Sequence, residues 1–297
     1  MLEEDLAWQS KLVLLAVLPF AAVDVFLACF GWAAFSGVAI WTIGLSALLG
    51  LTTWRLRAAT PAAAATGALI TASLMFSTIE QGDSGRAYDP LHTALVPVLA
   101  VSLLAFAATR TGRRKKERLG TAEARRGRSA AQVAANLGLA ALVASEPVKI
   151  WLLDSQWLSQ RARSEMLIPA MVLAALAEAA ADTVSSEIGQ VLGGRPRMIT
   201  TLRAMEPGTD GAVSISGTLA GAIAAAIVAG AGCWALGGDL SLFQLSCAGA
   251  VFGLFFDSLL GATLERRGWL NNDAVNFLST ASAAGFAVML LTILPHI

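Results

Sequence analysis

Apolar runs of about 20 residues recur along this chain, and a helix of that length crosses ~30 Å of hydrocarbon at 1.5 Å per residue. Hydrophobic residues make up 56% of the 297 positions and charged residues only 14%. Ordinary soluble domains carry about a quarter charged residues, so a chain with this balance and a mean hydropathy of +0.65 is built for another solvent. The alternating ten-residue pattern of a membrane β-barrel is absent. The expected fold class is therefore all-α, a polytopic membrane helix bundle. Its alanines and glycines suit close packing through small residues.

Spans are read at roughly 12–31, 36–54, 61–80, 89–109, 129–152, 164–181, 212–236, 241–261 and 273–294, about nine helices, with 164–181 the shortest. No repeat is visible, and residues 1–297 read as a single transmembrane domain. Glu3, Glu4 and Asp5 replace the basic start of a secretory signal, so the first helix is expected to be retained. Cys29, Cys233 and Cys247 lie in apolar runs without a C-x-x-C partner, which indicates neither a disulfide framework nor a zinc site. His92 and His296 are too few and too isolated for a histidine metal site.

Formal net charge is zero, but the charges are placed unevenly. The connection Arg110–Arg128 is dense in Lys and Arg, and short loops of that kind stay cytoplasmic. Counting spans outward puts Arg55 and Arg57, Arg195 to Arg203, and Arg266 and Arg267 on the same side. The acidic turn Glu80–Asp89 falls outside, and Arg161 and Arg163 are the exception in a short outer loop. The loops 110–128, 182–211 and 262–272 should then share one face and form a site there. The expectation is an integral protein of the cell inner membrane with that site facing the cytoplasm.

The polar residues concentrate where such a site would be. Glu178, Asp182, Ser185 or Ser186, and Gly189 fall on one helical face, and a carboxylate inside lipid is costly unless it faces a cavity or a partner. Two such acids suit Mg²⁺, which takes carboxylates together with substrate phosphate oxygens. Glu187 lies on a different face and approaches the same site only if the helix has ended. Arg128, Gln132 and Asn136 are spaced i, i+4, i+8, as interhelical hydrogen-bonding glue or as a polar stripe on a buried aqueous site. Arg195 and Arg197, in a Gly-Gly-Arg-Pro-Arg turn, are phosphate clamps or ordinary positive-inside anchors. Gly208-Thr-Asp-Gly211, opening the helix at Ser214, reads as an anion cradle or a plain capping turn, and it is not a Walker A loop. Asp257 sits in an apolar run with no bland role. Asn271 or Asn272 would cap the last helix, and Asn272 and Asn276 share one of its faces.

Together these residues resemble a known family. The patterns A-D-T-x-S-S-E-I-G at 181–189, P-R-x-I-T-T at 196–201, G-T-x-G-x-V-S-x-x-G at 208–217, D-S-x-L-G-A-T at 257–263 and N-N-x-x-V-N at 271–276 follow R-R-G-R-x-x-x-Q-V-x-A-N at 125–136. Each piece is weak alone, but the ordered set covers nearly all of the chain. It resembles the family of plant phytyl-phosphate kinase and animal transmembrane protein 19, which is similar to the CTP-dependent polyprenol kinases. The resemblance implies conversion of an isoprenyl monophosphate (phytyl, geranylgeranyl or farnesyl phosphate) to the diphosphate by a nucleoside triphosphate, plausibly CTP.

Phosphoryl transfer needs positioning and charge neutralisation. On that expectation Asp182, Glu187 and Asp257 are the catalytic candidates, with Asp182 and Asp257 holding Mg²⁺. Arg128, Gln132, Asn136, Arg197, Thr200, Thr201, Gly208, Thr209, Gly211, Ser214, Asn272 and Asn276 would hold or orient phosphates. The expected partners are the lipid bilayer, an isoprenyl phosphate and a nucleoside triphosphate, with no nucleic acid. A homodimer is compatible with the sequence. A CDP-lipid cytidylyltransferase needs similar groups, whereas a transporter would spread polar residues across the membrane depth.

Overall fold

The computed structural model describes residues 6–31, 37–79, 88–122, 127–155 and 165–293. Residues 80–87, Arg161 and Arg163, Glu3 to Asp5, and Arg125 and Arg126, to which the sequence assigns sides or motif positions, lie outside them. Eleven α-helices follow in order: α1 (Ala7–Phe30), α2 (Gly37–Arg55), α3 (Pro61–Ser77), α4 (Leu95–Arg110), α5 (Arg113–Leu119), α6 (Ala130–Ala144), α7 (Glu146–Asp154), α8 (Leu167–Leu192), α9 (Ile215–Ala235), α10 (Leu240–Leu260) and α11 (Asn272–Ile293). Among the described residues, six helices are long and apolar enough to cross a membrane, or eight if α4 with α5 and α6 with α7 each count as one bent span. Helix α3, at 17 residues, is a shorter apolar helix beside them.

Helix α8 is the axis of the bundle. Its 26 residues extend to ~39 Å at 1.5 Å per residue, and α4, α6, α9, α10 and α11 all pack on it. Leu173 to Ala181 are buried without interruption, most of them alanines. Small side chains let neighbouring backbones come close, which is how helices gain dispersion energy in lipid. Helix α9 answers with Gly217 and Gly221, where an added Cβ would lie 2.7 Å from the carbonyl oxygens of Ser185 and Ala181 respectively.

Two expectations are corrected here. The 164–181 span, read as the shortest, belongs to the longest α-helix among the described residues, 26 residues against 24 for α1, because Asp182 to Leu192 continue the helix instead of forming a loop. Polarity suggested a loop, but the isolated Gly189 is tolerated within the helix, and the chain leaves it only at the Gly193-Gly194 pair. The 129–152 span is broken at Ser145, where α6 and α7 meet at 59°. Pro147 enters the first turn of α7 and cannot donate a helical hydrogen bond. Asp24 in α1 secures this break: its Oδ1 accepts from the Glu146 N–H at 3.2 Å, and its Oδ2 from Ser73 and Ser77 at 3.0 and 2.6 Å. Beyond the break, Glu146 and Lys149 form an ion pair at 2.8 Å.

The motif-bearing loops gather at the other end of the bundle. Gln9 donates to the Trp269 carbonyl at 2.9 Å, Arg110 to the Leu56 carbonyl at 2.8 Å, and Lys115 to the Val191 carbonyl at 2.7 Å. Cysteines placed at Lys115 and at Gly194 should therefore react with a membrane-impermeant maleimide from the same side. Labelling from opposite sides would overturn this arrangement.

Candidate functional site

At this end a polar cavity of about 980 Å³, including the part open to solvent, lies between the C-terminal half of α8 and the ends of α9, α10 and α11. Helix α8 contributes Asp182, Ser185, Ser186, Gly189 and Gln190, one face of its last three turns. A two-stranded hairpin, β1 (Arg197–Met198) with β2 (Ala212–Val213), carries Pro207 to Gly211 over the cavity. Gly208 and Gly211 have φ of 88° and 74°, the left-handed region that glycine enters at little cost. A Cβ on Gly211 would run into the Ala262 backbone, so the turn also seats against the end of α10.

The N-terminus of α9 opens onto the cavity through Ser214, whose Oγ accepts from the Gly217 N–H at 3.1 Å. A helix N-terminus carries partial positive charge and favours anions. Helix α10 supplies Asp257 and Ser258, and the wide turn Gly261–Glu265 that ends it supplies Gly261 and Glu265. Such π-type turns often occur at functional sites. Asn272 and Asn276 line the wall from α11, while Asn271 caps that helix by accepting from the Ala274 N–H at 2.9 Å.

The acids are unusually crowded for a helix bundle. Glu178 is 1% exposed and lies one turn below Asp182, and the Ser279 hydroxyl is within reach of both Glu178 and Asp257. Even so, Glu178 Oε1 and Asp257 Oδ2 are buried without a hydrogen-bond partner. Unpaired buried carboxylate oxygens cost free energy on the order of a few kcal/mol, or more when charged, so a proton or a cation is the natural complement. Outside the helices, desolvation raises the Asp210 carboxyl above its ordinary value, and Arg266 opposes that shift. Among the described residues, no group of three or more His, Cys, Asp or Glu side chains is arranged to hold a metal ion alone. Asp257, with its orphaned Oδ2, and Asp182 line the same cavity, and two such carboxylates fit Mg²⁺, which completes its shell with water and phosphate oxygens.

Of the residues singled out from sequence, Asp182, Asp257, Gly208, Thr209, Gly211, Ser214, Asn272 and Asn276 line this one cavity. Arg128 and Asn136 line a second cavity on another side of α8. Arg128 precedes the helix instead of extending its polar stripe: its N–H donates to the Ala58 carbonyl, and its own carbonyl accepts from Thr60, both at 3.0 Å. Gln132 is engaged in a reciprocal cap with Ser129, and Arg197 donates to the Leu202 carbonyl at 2.9 Å. Thr200 and Thr201 are exposed on the hairpin turn and line neither cavity.

Glu187 is turned away altogether. The helix does not end before it, so it keeps its separate face, pairs with Lys116 and accepts from the Thr109 hydroxyl at 3.3 Å. Lys116 was indistinguishable in sequence from the other cations of its loop, yet it is 1% exposed. It also donates to the Ala108 and Thr109 carbonyls at 3.0 and 2.9 Å, closing the C-terminus of α4. Glu265 escaped notice too, although its i+8 spacing from Asp257 places both on one side of the helix and its terminal turn.

A profile of the integral membrane proteins described as DUF92 matches residues 44–284. An uncharacterized membrane protein of Methanocaldococcus jannaschii is 44% identical over 108 residues, 36% of this chain and 45% of that protein. One from Synechocystis is 32% identical over 203 residues, 64% of this chain and 71% of its own length. The chloroplastic protein VTE6 of Arabidopsis thaliana is 30% identical over 212 residues, covering 69% of this chain and 60% of VTE6. The chain thus matches less than half of the archaeal relative and about three fifths of VTE6. No solved structure matches it.

Proposed function

The chain belongs to the integral membrane protein family DUF92, and on that premise we propose that it is a kinase converting an isoprenyl monophosphate to the diphosphate. The observation that carries the reading is the polar cavity in which acids from α8 and α10, asparagines from α11 and a glycine turn before α9 converge. The ordered motifs resembling the phytyl-phosphate kinase family supply those same residues. The donor is a nucleoside triphosphate, with CTP first among the candidates, and the cavity faces the cytoplasm, where such nucleotides are found.

In the reaction, a phosphate oxygen of the acceptor attacks the terminal phosphorus of the donor. The bridging P–O bond breaks, and the nucleoside diphosphate leaves with that electron pair. An acceptor entering as the monoanion gives its proton to solvent or to a nearby carboxylate. Asp182 and Asp257 would hold Mg²⁺ against the donor phosphates, and the ion supplies charge neutralisation there. Gly208, Gly211 and the Ser214 cap would approach the phosphates through backbone N–H groups, and Asn272 and Asn276 would orient them.

The test is an assay of purified protein with geranylgeranyl, farnesyl and phytyl monophosphates against each nucleoside triphosphate. Isoprenyl diphosphate appearing with an equivalent of nucleoside diphosphate is the expected result. Release of inorganic diphosphate with a nucleotide-linked lipid would replace the kinase by a cytidylyltransferase. No turnover with any pair would remove the reading.

A further inference from the structure

The second cavity, about 970 Å³ with its open part, lies between α2, α3, α4 and α6 and touches α8 only at Ala179. Its body is aliphatic, with Leu49, Val98, Val101, Ala105, Val133 and Leu137 among its walls. On α3, Ala63, Ala64 and Gly67 leave the space open where larger side chains would fill it. Its lining on α4 runs from Val98 to Arg110, ~18 Å at 1.5 Å per residue.

The charged groups of this groove are sorted to one end, while Thr71, Ser102 and Asn136 are the uncharged polar side chains along its body. Arg57, Arg110, Arg113 and Arg128 stand at the loop end, and among the described residues no carboxylate lines the groove. Within α5, Arg113 pairs with Glu117 at 3.1 Å. Guanidinium groups bind phosphate through paired N–H donors. Arg128 also links the two cavities. Its guanidinium donates to Thr183 Oγ1 at 3.4 Å, and Thr183 is the α8 neighbour of Asp182, whose charge Arg128 is close enough to influence. A phosphate held at this mouth would face the polar cavity across a single helix face.

We propose that this groove takes the acceptor lipid, a single-chain isoprenyl phosphate, with its tail between α3 and α4 and its phosphate on the arginines. The proposal rests on the kinase reading and assigns its second substrate a place. A long apolar body ending in one concentrated anionic head matches the sorting of the groove, aliphatic for most of its length and cationic at one end.

The experiment uses the full chain in nanodiscs. Geranylgeranyl monophosphate bearing a diazirine on its tail should crosslink to α4 around Val101 and Ala105 in the wild-type protein, and crosslinks confined to other helices would overturn the proposal. In equilibrium binding, Gly67→Leu, which projects into the groove, should weaken geranylgeranyl monophosphate at least tenfold. Arg110→Gln should do the same while leaving geranylgeraniol unchanged, and both variants should bind nucleotide as before. Affinities within twofold of wild type in folded variants would sink the groove, as would competition by dioleoyl phosphatidate equal to that of the isoprenyl phosphate. Binding at α4 without turnover would leave the groove standing and remove the kinase reading. Turnover with crosslinks elsewhere would do the reverse.

Discussion

Asp182→Asn and Asp257→Asn are each expected to lower turnover by a factor on the order of a thousand, and the double substitution to cost little more than either alone. A bound cation contributes several kcal/mol of charge stabilisation to phosphoryl transfer, and each ~1.4 kcal/mol is tenfold in rate. The two acids come from different helices but line the same cavity, and residues that act as a unit lose their effect together. Asparagine keeps the shape and removes the charge, so the fold should survive. Raising Mg²⁺ should partly restore a single variant by mass action and should not restore the double variant. Initial rates across a Mg²⁺ titration, with melting temperature as control, decide the matter. Turnover within a few-fold of wild type for either variant would make that acid structural.

The second large effect is on stability. Lys116→Met should destabilise the protein by about 3–5 kcal/mol, because removing one partner of a buried ion pair strands the other charge. Glu187 would lose its main partner, and the Ala108 and Thr109 carbonyls would lose their shared donor. The double variant Lys116→Met with Glu187→Gln should recover part of the loss, since contacting residues are not additive. Thermal unfolding in detergent would show this as a lower midpoint for the single variant than for the double. Glu187→Gln should leave turnover per folded molecule nearly unchanged. A folded Glu187→Gln protein whose turnover fell a hundredfold or more would return that acid to the chemistry.

Much of the site was legible because lipid penalises polar groups that have no task. Asp182, Asp257, Asn272 and Asn276 stood out against apolar surroundings, and the glycine turn before Ser214 announced a backbone that must come close to something. Arg128 and Glu187 show where that reasoning stops. Both lie within motif segments and both carry charge, yet Arg128 is fixed by the Ala58–Thr60 backbone beside a different cavity, and Glu187 is turned toward Lys116. Residues 182–192 misled for a related reason: polarity marks solvent or a cavity equally well, and only packing tells which.

By itself the sequence determined the solvent of this protein, its helical class, the approximate spans and the common end at which its charged loops collect. Those follow from composition, run length and the placement of arginines, each of which is a local property. Tertiary structure decided what is held together from afar: that Asp182 and Asp257 line one cavity, that the arginines border another, and that Lys116 is buried. These depend on how α8 is surrounded, with glycines of α9 and alanines of α8 setting helix separations. Pairings between distant segments leave no mark in the order of residues along one chain.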